Sequence, residues 1–214
     1  MKEPKKSIGI DIGGTKITVA AVDGRGRMVA RSTLATEAER GFERAVKRMA
    51  TAITGVAREA GWSRREFCGI GIGCAGPVNP RRGTIHNPYT LPTWDDGNIV
   101  AALRERFGVP VFLENDADAA MLGECFIGAG RGCSHAVMLT FGTGIGGSAL
   151  VNGEIYRGCN GEHPEIGHVP VEADGPPCYC GTKGCLEAIA SGTGLGEAGR
   201  AAGFADSREV FAKA

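Results

Sequence analysis

The chain has 214 residues, enough for one large domain or two small ones at about 100–200 residues each. Hydrophobic residues make up 43% and charged residues 22%, and 24 Lys and Arg balance 24 Asp and Glu; this is a globular composition without the basic excess that nucleic-acid or membrane-surface binding needs. No stretch approaches the roughly 18 apolar residues of a membrane span, and the apolar run after the basic start Met1–Lys6 is broken by Asp11, Gly13 and Gly14, so no signal peptide is expected and the location reads as cytoplasmic.

In chain order, Ser7–Ile12 reads as a short apolar strand, Gly13-Gly14 as a tight turn and Ile17–Val22 as a second strand. Asp23-Gly24 turns into a third strand at Met28–Thr33. Phe42, Ala45, Val46, Met49, Ile53 and Val56 recur at spacings of three and four, which predicts an amphipathic helix up to Ala60 that Gly61 stops. Phe67–Cys74 is a glycine-rich strand, Ala75–Asp96 a loop with four prolines, Asn98–Phe107 a helix capped by Gly108, Val109–Leu113 a buried strand and Ala117–Phe126 a helix. Ala136–Thr140 and Ser148–Val151 are strands on either side of a glycine turn, residues 158–187 are loop-like, and Leu186–Ala190 and Ser207–Ala214 are helical. Alternating strands and helices predict an α/β fold, with a break near Asp116–Gly128 that divides the chain into domains 1–117 and 118–214.

Glycine is over-used, with 35 residues, more than twice the usual share of about 7%. Three stretches match G-x-G-x-x-G, beginning at Gly71, Gly142 and Gly194. A dinucleotide fingerprint needs strand, turn, then helix. The first match runs into Pro77, the second into a strand and the third follows no strand, so NAD binding is excluded.

Asp11-Ile-Gly13-Gly14-Thr15-Lys16 has another logic. A carboxylate ends a strand, two glycines bare backbone N–H groups, and a hydroxyl and an ammonium follow; such a turn can hold a phosphate, with Asp11 reaching Mg2+ through water. It is equally an ordinary hairpin turn. Phe141-Gly142-Thr143-Gly144 is a second loop of the same kind. Asn115-Asp116 falls between a strand and a helix, where Asp116 is either an N-cap or a general base, with Asn115 donating to a substrate hydroxyl.

Of the 8 cysteines, Cys68, Cys74, Cys125, Cys133 and Cys159 are scattered and read as small buried hydrophobes. Cys178, Cys180 and Cys185 cluster and, with His168, make up a closed, structural Cys3His zinc set. Gly181 and Gly184 let that loop fold back, and Glu162 and His163 are the nearest competing ligands.

DIGGTK, the NDA of Asn115–Ala117, FGTGIGG, E-x-G-H and CxCGxxGCxE, in this order over about residues 6–193, resemble the ROK family of bacterial sugar kinases and sugar-responsive repressors. The resemblance implies an actin-like (ribonuclease H-like) ATPase fold with two domains around a cleft, the arrangement in which two phosphate loops face each other. It implies ATP-dependent phosphorylation of a hexose at its primary hydroxyl, with ATP, Mg2+ and a structural Zn2+. By matching positions, Asp116 is the catalytic base, and Asn115, Glu165, His168 and Glu187 hold sugar hydroxyls. His168 also holds zinc with Cys178, Cys180 and Cys185, while Gly13, Gly14, Thr15, Lys16, Gly142, Thr143 and Gly144 lie along the phosphates. Family members are often dimers or tetramers, so a homodimer is the expected oligomer. No nucleic-acid or membrane partner is expected, and neither is a helix-turn-helix before Ser7 of the kind the repressor branch would need.

Two departures bear on function. His163-Pro164 precedes Glu165 where many glucokinases of the family read Ala-Gly, a form closer to some fructokinases. Glucose is the leading substrate, with a fructokinase or N-acetylmannosamine kinase as the alternatives, and a polyphosphate-using kinase further behind. The family's later adenosine motif and final helix are not found before Ala214, which predicts an incomplete second domain and admits an inactive sugar-binding or sensing protein.

Overall fold

A computed structural model describes residues 5–63, 66–95, 97–159, 161 and 163–213. The chain divides into two units, Met1–Gly132 and Cys133–Ala214. Among the described residues no helix is long and apolar enough to cross a membrane.

The first unit is built on strands β1 (Lys6–Ile12), β2 (Lys16–Val22) and β3 (Met28–Ala35), helix α1 (Phe42–Glu59), strand β4 (Phe67–Cys74), the short strands β5 (Val78–Asn79), β6 (Thr84–Ile85) and β7 (Gly97–Asn98), helix α2 (Ile99–Phe107), strand β8 (Val111–Asn115) and helix α3 (Asp116–Ile127). Its main sheet has the order β3-β2-β1-β4-β8. β1 pairs antiparallel with β2 and parallel with β4, and β4 pairs parallel with β8. The strand alternation sends Ile8, Ile10, Ile12, Ile70, Ile72, Val111 and Leu113 to one face, where they meet Met49, Ile53 and Val56 of α1 and Ile99 and Leu103 of α2 in a buried cluster. Burying each such side chain contributes roughly 1.5–3 kcal/mol, the main force holding the sheet to its helices.

Helix α3 packs on β4 and β8. Glycine is needed at position 73 for this, because a Cβ there would stand 3.0 Å from that of Ala119. A boundary after Ala117 would cut α3 near its start, and the packing of α3 on β4 and β8 keeps the whole helix with the first unit. Beside α3 the sheet opens as a groove of about 570 Å³, with Asp11, Thr18, Phe112 and Glu114 on its walls.

The second unit holds strands β9 (Ala136–Phe141), β10 (Ile145–Val151) and β11 (Glu154–Ile155) in the order β11-β10-β9, then helices α4 (Leu186–Ala190), α5 (Gly192–Ala201) and α6 (Ser207–Lys213). The turn between β9 and β10 is only Gly142–Gly144, tighter than expected, because Phe141 pairs directly with Ile145. Helix α5 was not expected, since glycine is a poor helix former. Here the glycines serve packing: a Cβ on Gly194 would lie 2.3 Å from the Ala188 carbonyl, and one on Gly199 would lie 2.6 Å from Val210. The G-x-G-x-x-G at 194–199 therefore lies inside a helix and offers no dinucleotide turn.

Of the five scattered cysteines only Cys74 is buried; Cys125 is half-buried and Cys68, Cys133 and Cys159 are exposed. The expectation of five buried thiols is corrected on this point: apolar character alone does not place a cysteine, and Cys68 falls on the outward side of β4.

Candidate functional site

The parallel strands end level: Ile12 lies opposite Cys74, and Cys74 opposite Asn115. The residues that follow them, Gly13, Ala75 and Asp116, therefore emerge at one edge of the sheet, and the Ala75 N–H donates to the Ile12 carbonyl at 2.9 Å. The carboxyl ends of parallel strands are where open α/β sheets bind ligands.

Asn115 caps α3: its Oδ1 accepts from the N–H groups of Ala117 at 2.8 Å and Asp118 at 3.3 Å. Asp116 is thus the first residue of the helix, not its cap, and its exposed carboxylate accepts only the neighbouring Ala117 N–H among the contacts described. Asp11 stands close enough to feel it. Partial desolvation, then the charge of Asp116, raise the Asp11 pKa, and Lys16 opposes them. Cys74 lies buried below, and burial followed by the charges of Asp116 and Asp11 pushes its thiol up to about 12.

The turn at Gly13 is braced from outside. Its N–H donates to the Lys16 carbonyl at 3.0 Å. Its own carbonyl accepts the Thr36 hydroxyl at 2.6 Å, and the Thr36 N–H reaches the Thr15 carbonyl at 3.0 Å. Thr36 is fully buried. A Cβ on Gly14 would stand 2.9 Å from that of Thr90, and Asn87 holds Thr90 through its hydroxyl at 2.8 Å and its N–H at 2.9 Å. Sequence reasoning missed Thr36 and Asn87. No local signal marks them, because they meet the turn only through strand register and a long loop.

In the second unit the turn Gly142–Thr143–Gly144 is held by the start of α5. The Gly192 N–H donates to the Gly142 carbonyl at 2.8 Å, and the Thr193 hydroxyl to the Thr143 carbonyl at 2.9 Å. Glu187 Oε2 accepts the Ile145 N–H at 2.7 Å. A carboxylate expected to serve sugar hydroxyls thus has one oxygen on the hairpin backbone.

The segment from Glu165 to Glu187 closes on itself. Ile166–His168 forms a short 3-10 turn packed on β10, where a Cβ on Gly167 would lie 2.1 Å from the Ile145 carbonyl. Gly181 and Gly184 have φ of 92° and 66°, a left-handed conformation that glycine adopts without strain. The ligand atoms of His168, Cys178, Cys180 and Cys185 lie within 4.8 Å of one another. His168 Nδ1 is 3.5 Å from Cys178 Sγ, and the Cys180 and Cys185 sulfurs are 3.6 Å apart. A tetrahedral zinc with bonds of about 2.3 Å to sulfur and 2.0–2.1 Å to nitrogen has edges of about 3.6–3.8 Å, so the donor set fits that ion. A backbone N–H from Thr182 lowers the Cys180 thiol to about 7, while burial raises Cys185 to about 12. Of the two histidines weighed, His168 joins the thiols; Glu162 lies outside the described residues. His168 Nε2 faces the Tyr179 hydroxyl at 3.0 Å. Glu165 is exposed at the same end of the loop.

The ROK family profile matches residues 7–213, and the chain belongs to that family. It is 42% identical over 190 residues to a glucokinase of Thermotoga maritima, covering 89% of this chain and 58% of that relative. Among solved structures it is similar to a ROK hexokinase from Thermus thermophilus, with a TM-score of 0.83 and 40% identity over 97% of this chain and 68% of the other. A ROK family glucokinase from Streptomyces griseus, in complex with glucose and AMPPNP, gives a TM-score of 0.71 and 36% identity over 90% of this chain and 59% of the other. The fold is therefore the actin-like ATPase fold of ROK kinases, and the chain spans a little over half the length of the curated glucokinases it matches.

Proposed function

We propose that the chain acts in a hexose kinase that transfers the γ-phosphoryl group of ATP to the primary hydroxyl of a hexose, with glucose as substrate. The observation that carries this reading is the division of labour at α3. Asn115 caps the helix, which leaves the Asp116 carboxylate at the strand ends without that duty.

Asp116 takes the proton from the attacking hydroxyl as its oxygen approaches phosphorus, the role a positioned carboxylate plays in phosphoryl transfer. Asn115 donates to a neighbouring hydroxyl through its amide nitrogen. Because the Gly13 N–H is engaged by Lys16, the phosphate donors of the first turn are Gly14, Thr15 and Lys16. Gly142, Thr143 and Gly144 supply the second turn. Asp11 would hold Mg2+ through water, and the ion would supply charge to neutralise the phosphates. Glu165 and Glu187 accept from sugar hydroxyls and His168 donates to one, and the Cys3His set would hold a zinc ion that fixes their loop. The similarity to glucokinases supports glucose; the His163-Pro164 pair keeps fructose and N-acetylmannosamine in the comparison.

A coupled ADP-release assay with glucose, mannose, fructose and N-acetylmannosamine, alongside calorimetry for each sugar, tests the reading. Sugar-dependent ADP release that is fastest with glucose supports it. Sugar binding without ADP release replaces it with a sensing role, of the kind the repressor branch of the family carries.

A further inference from the structure

Tyr179 stands between two zinc-set cysteines yet has no place among the ligands. Its side chain is 82% exposed, so little packing fixes the ring. Its hydroxyl is nonetheless held: it lies 3.0 Å from His168 Nε2, with Glu187 and Glu165 close enough to act on it electrostatically. The ring stands edge-on to the imidazole, with centroids 5.0 Å apart and an interplanar angle of 87°.

The chemistry of this contact is specific. With Nδ1 on the thiol side at 3.5 Å from Cys178, the ring nitrogen that faces Tyr179 is Nε2. A histidine bound to metal through Nδ1 carries its proton on Nε2 and is a donor there. The phenol then accepts from His168 and still has its own proton to give to a carboxylate, and Glu187 is the acidic group that acts on it most strongly. A sugar hydroxyl offers the same single donor with acceptor lone pairs.

We propose that Tyr179 is an internal place-holder for a hexose hydroxyl, its phenol sitting on the His168–Glu187 pair until a sugar displaces it. This rests on the reading of Glu165, His168 and Glu187 as the hexose set. Occupancy by the phenol lowers the apparent sugar affinity by the fraction of molecules in which the pair is covered. Hydrogen bonds of ordinary net strength hold the phenol in place, so its removal tightens binding by about 3- to 10-fold.

The test is calorimetry of glucose, mannose, fructose and N-acetylmannosamine with the zinc-loaded full chain, its Tyr179→Phe and its Tyr179→Ala variants, with zinc content measured on each. Phe keeps the ring and the loop and loses only the hydroxyl. Both variants are expected to bind the preferred sugar about 3- to 10-fold more tightly at unchanged zinc content. Unchanged affinity in both overturns the proposal alone. Weaker binding by Tyr179→Phe overturns it in favour of a direct sugar contact. No binding of any sugar by any of the three proteins overturns the hexose reading, and the place-holder falls with it.

Discussion

Glu187 Oε2 accepts the Ile145 N–H at 2.7 Å, so the carboxylate that follows the last cysteine of the zinc set is fastened to the hairpin carrying Gly142, Thr143 and Gly144. One side chain thereby links the loop proposed to face sugar to a candidate phosphate turn within the second unit. Glu187→Ala should leave the Ile145 N–H without its acceptor and speed its hydrogen exchange by about 3- to 10-fold, the scale of one net hydrogen bond. Glu187→Gln keeps an acceptor oxygen and should retain most of the protection. Amide exchange followed residue by residue checks this without any assay of activity; equal exchange in wild type and the alanine variant would remove the link.

Asn115 and Asp116 should separate cleanly by mutation. Asn115→Ala removes the cap of α3 and should cost about 1 kcal/mol in thermal or denaturant unfolding. Asp116→Asn should leave stability and sugar binding near wild type while lowering phosphoryl transfer by at least about 10²-fold. A large loss of stability in Asp116→Asn, or near-normal turnover, would contradict the assignment.

Zinc should be present at one equivalent per chain. Cys180→Ser should lower that content and loosen the loop that carries Glu165 and His168, with hexose binding lost alongside. Elemental analysis and calorimetry on the same preparation check both halves; full sugar binding by zinc-free protein would decouple them.

Thr36 is fully buried, and its hydroxyl donates to the Gly13 carbonyl at 2.6 Å. Thr36→Val keeps the shape and strands that carbonyl, which should cost about 1–3 kcal/mol of stability. Thr36→Ser should recover most of it. A valine variant as stable as wild type would show that the first turn needs no brace.

The pH dependence of stability carries the signature of Asp11, whose pKa is raised from the ordinary 3.8 by partial desolvation and by Asp116. A carboxyl raised in the folded state holds more protons folded than unfolded. Its contribution therefore favours folding at low pH and is lost as pH rises from 3.8 through the folded value. Asp11→Asn should raise the melting temperature at pH 7, with the gain fading in acid. A melting temperature that falls at pH 7 in this variant would reverse the sign.

The strands around Asp11 and Asn115, the stripe of α1 and the Cys3His spacing were legible because each follows from a local period or a short motif. The cap of α3 was half legible: the strand-helix junction suggested a cap at Asp116, and the structure places it on Asn115, a choice set by backbone angles that no spacing records. Helix α5 was hidden because Gly194 and Gly199 serve contacts with Ala188 and Val210, and packing overrides propensity there. Thr36, Asn87 and Thr193 were hidden for a further reason: each acts on a glycine turn far from it in sequence, the Thr36 bond spanning 23 residues and the Thr193 bond 50.

The burial of Cys74 beneath Asp11 and Asp116 has a chemical consequence for handling the protein. A thiol pushed up to about 12 carries almost no thiolate at neutral pH, and thiolate is the species that alkylating agents and peroxides attack. Maleimide or hydrogen peroxide should therefore mark the exposed Cys68, Cys133 and Cys159, and in zinc-free protein also the exposed Cys180, whose thiol is lowered to about 7, and pass over Cys74. With zinc holding Cys180, fluorescent labels can accordingly be carried on exposed cysteines while the thiol beside Asp11 and Asp116 stays unmodified.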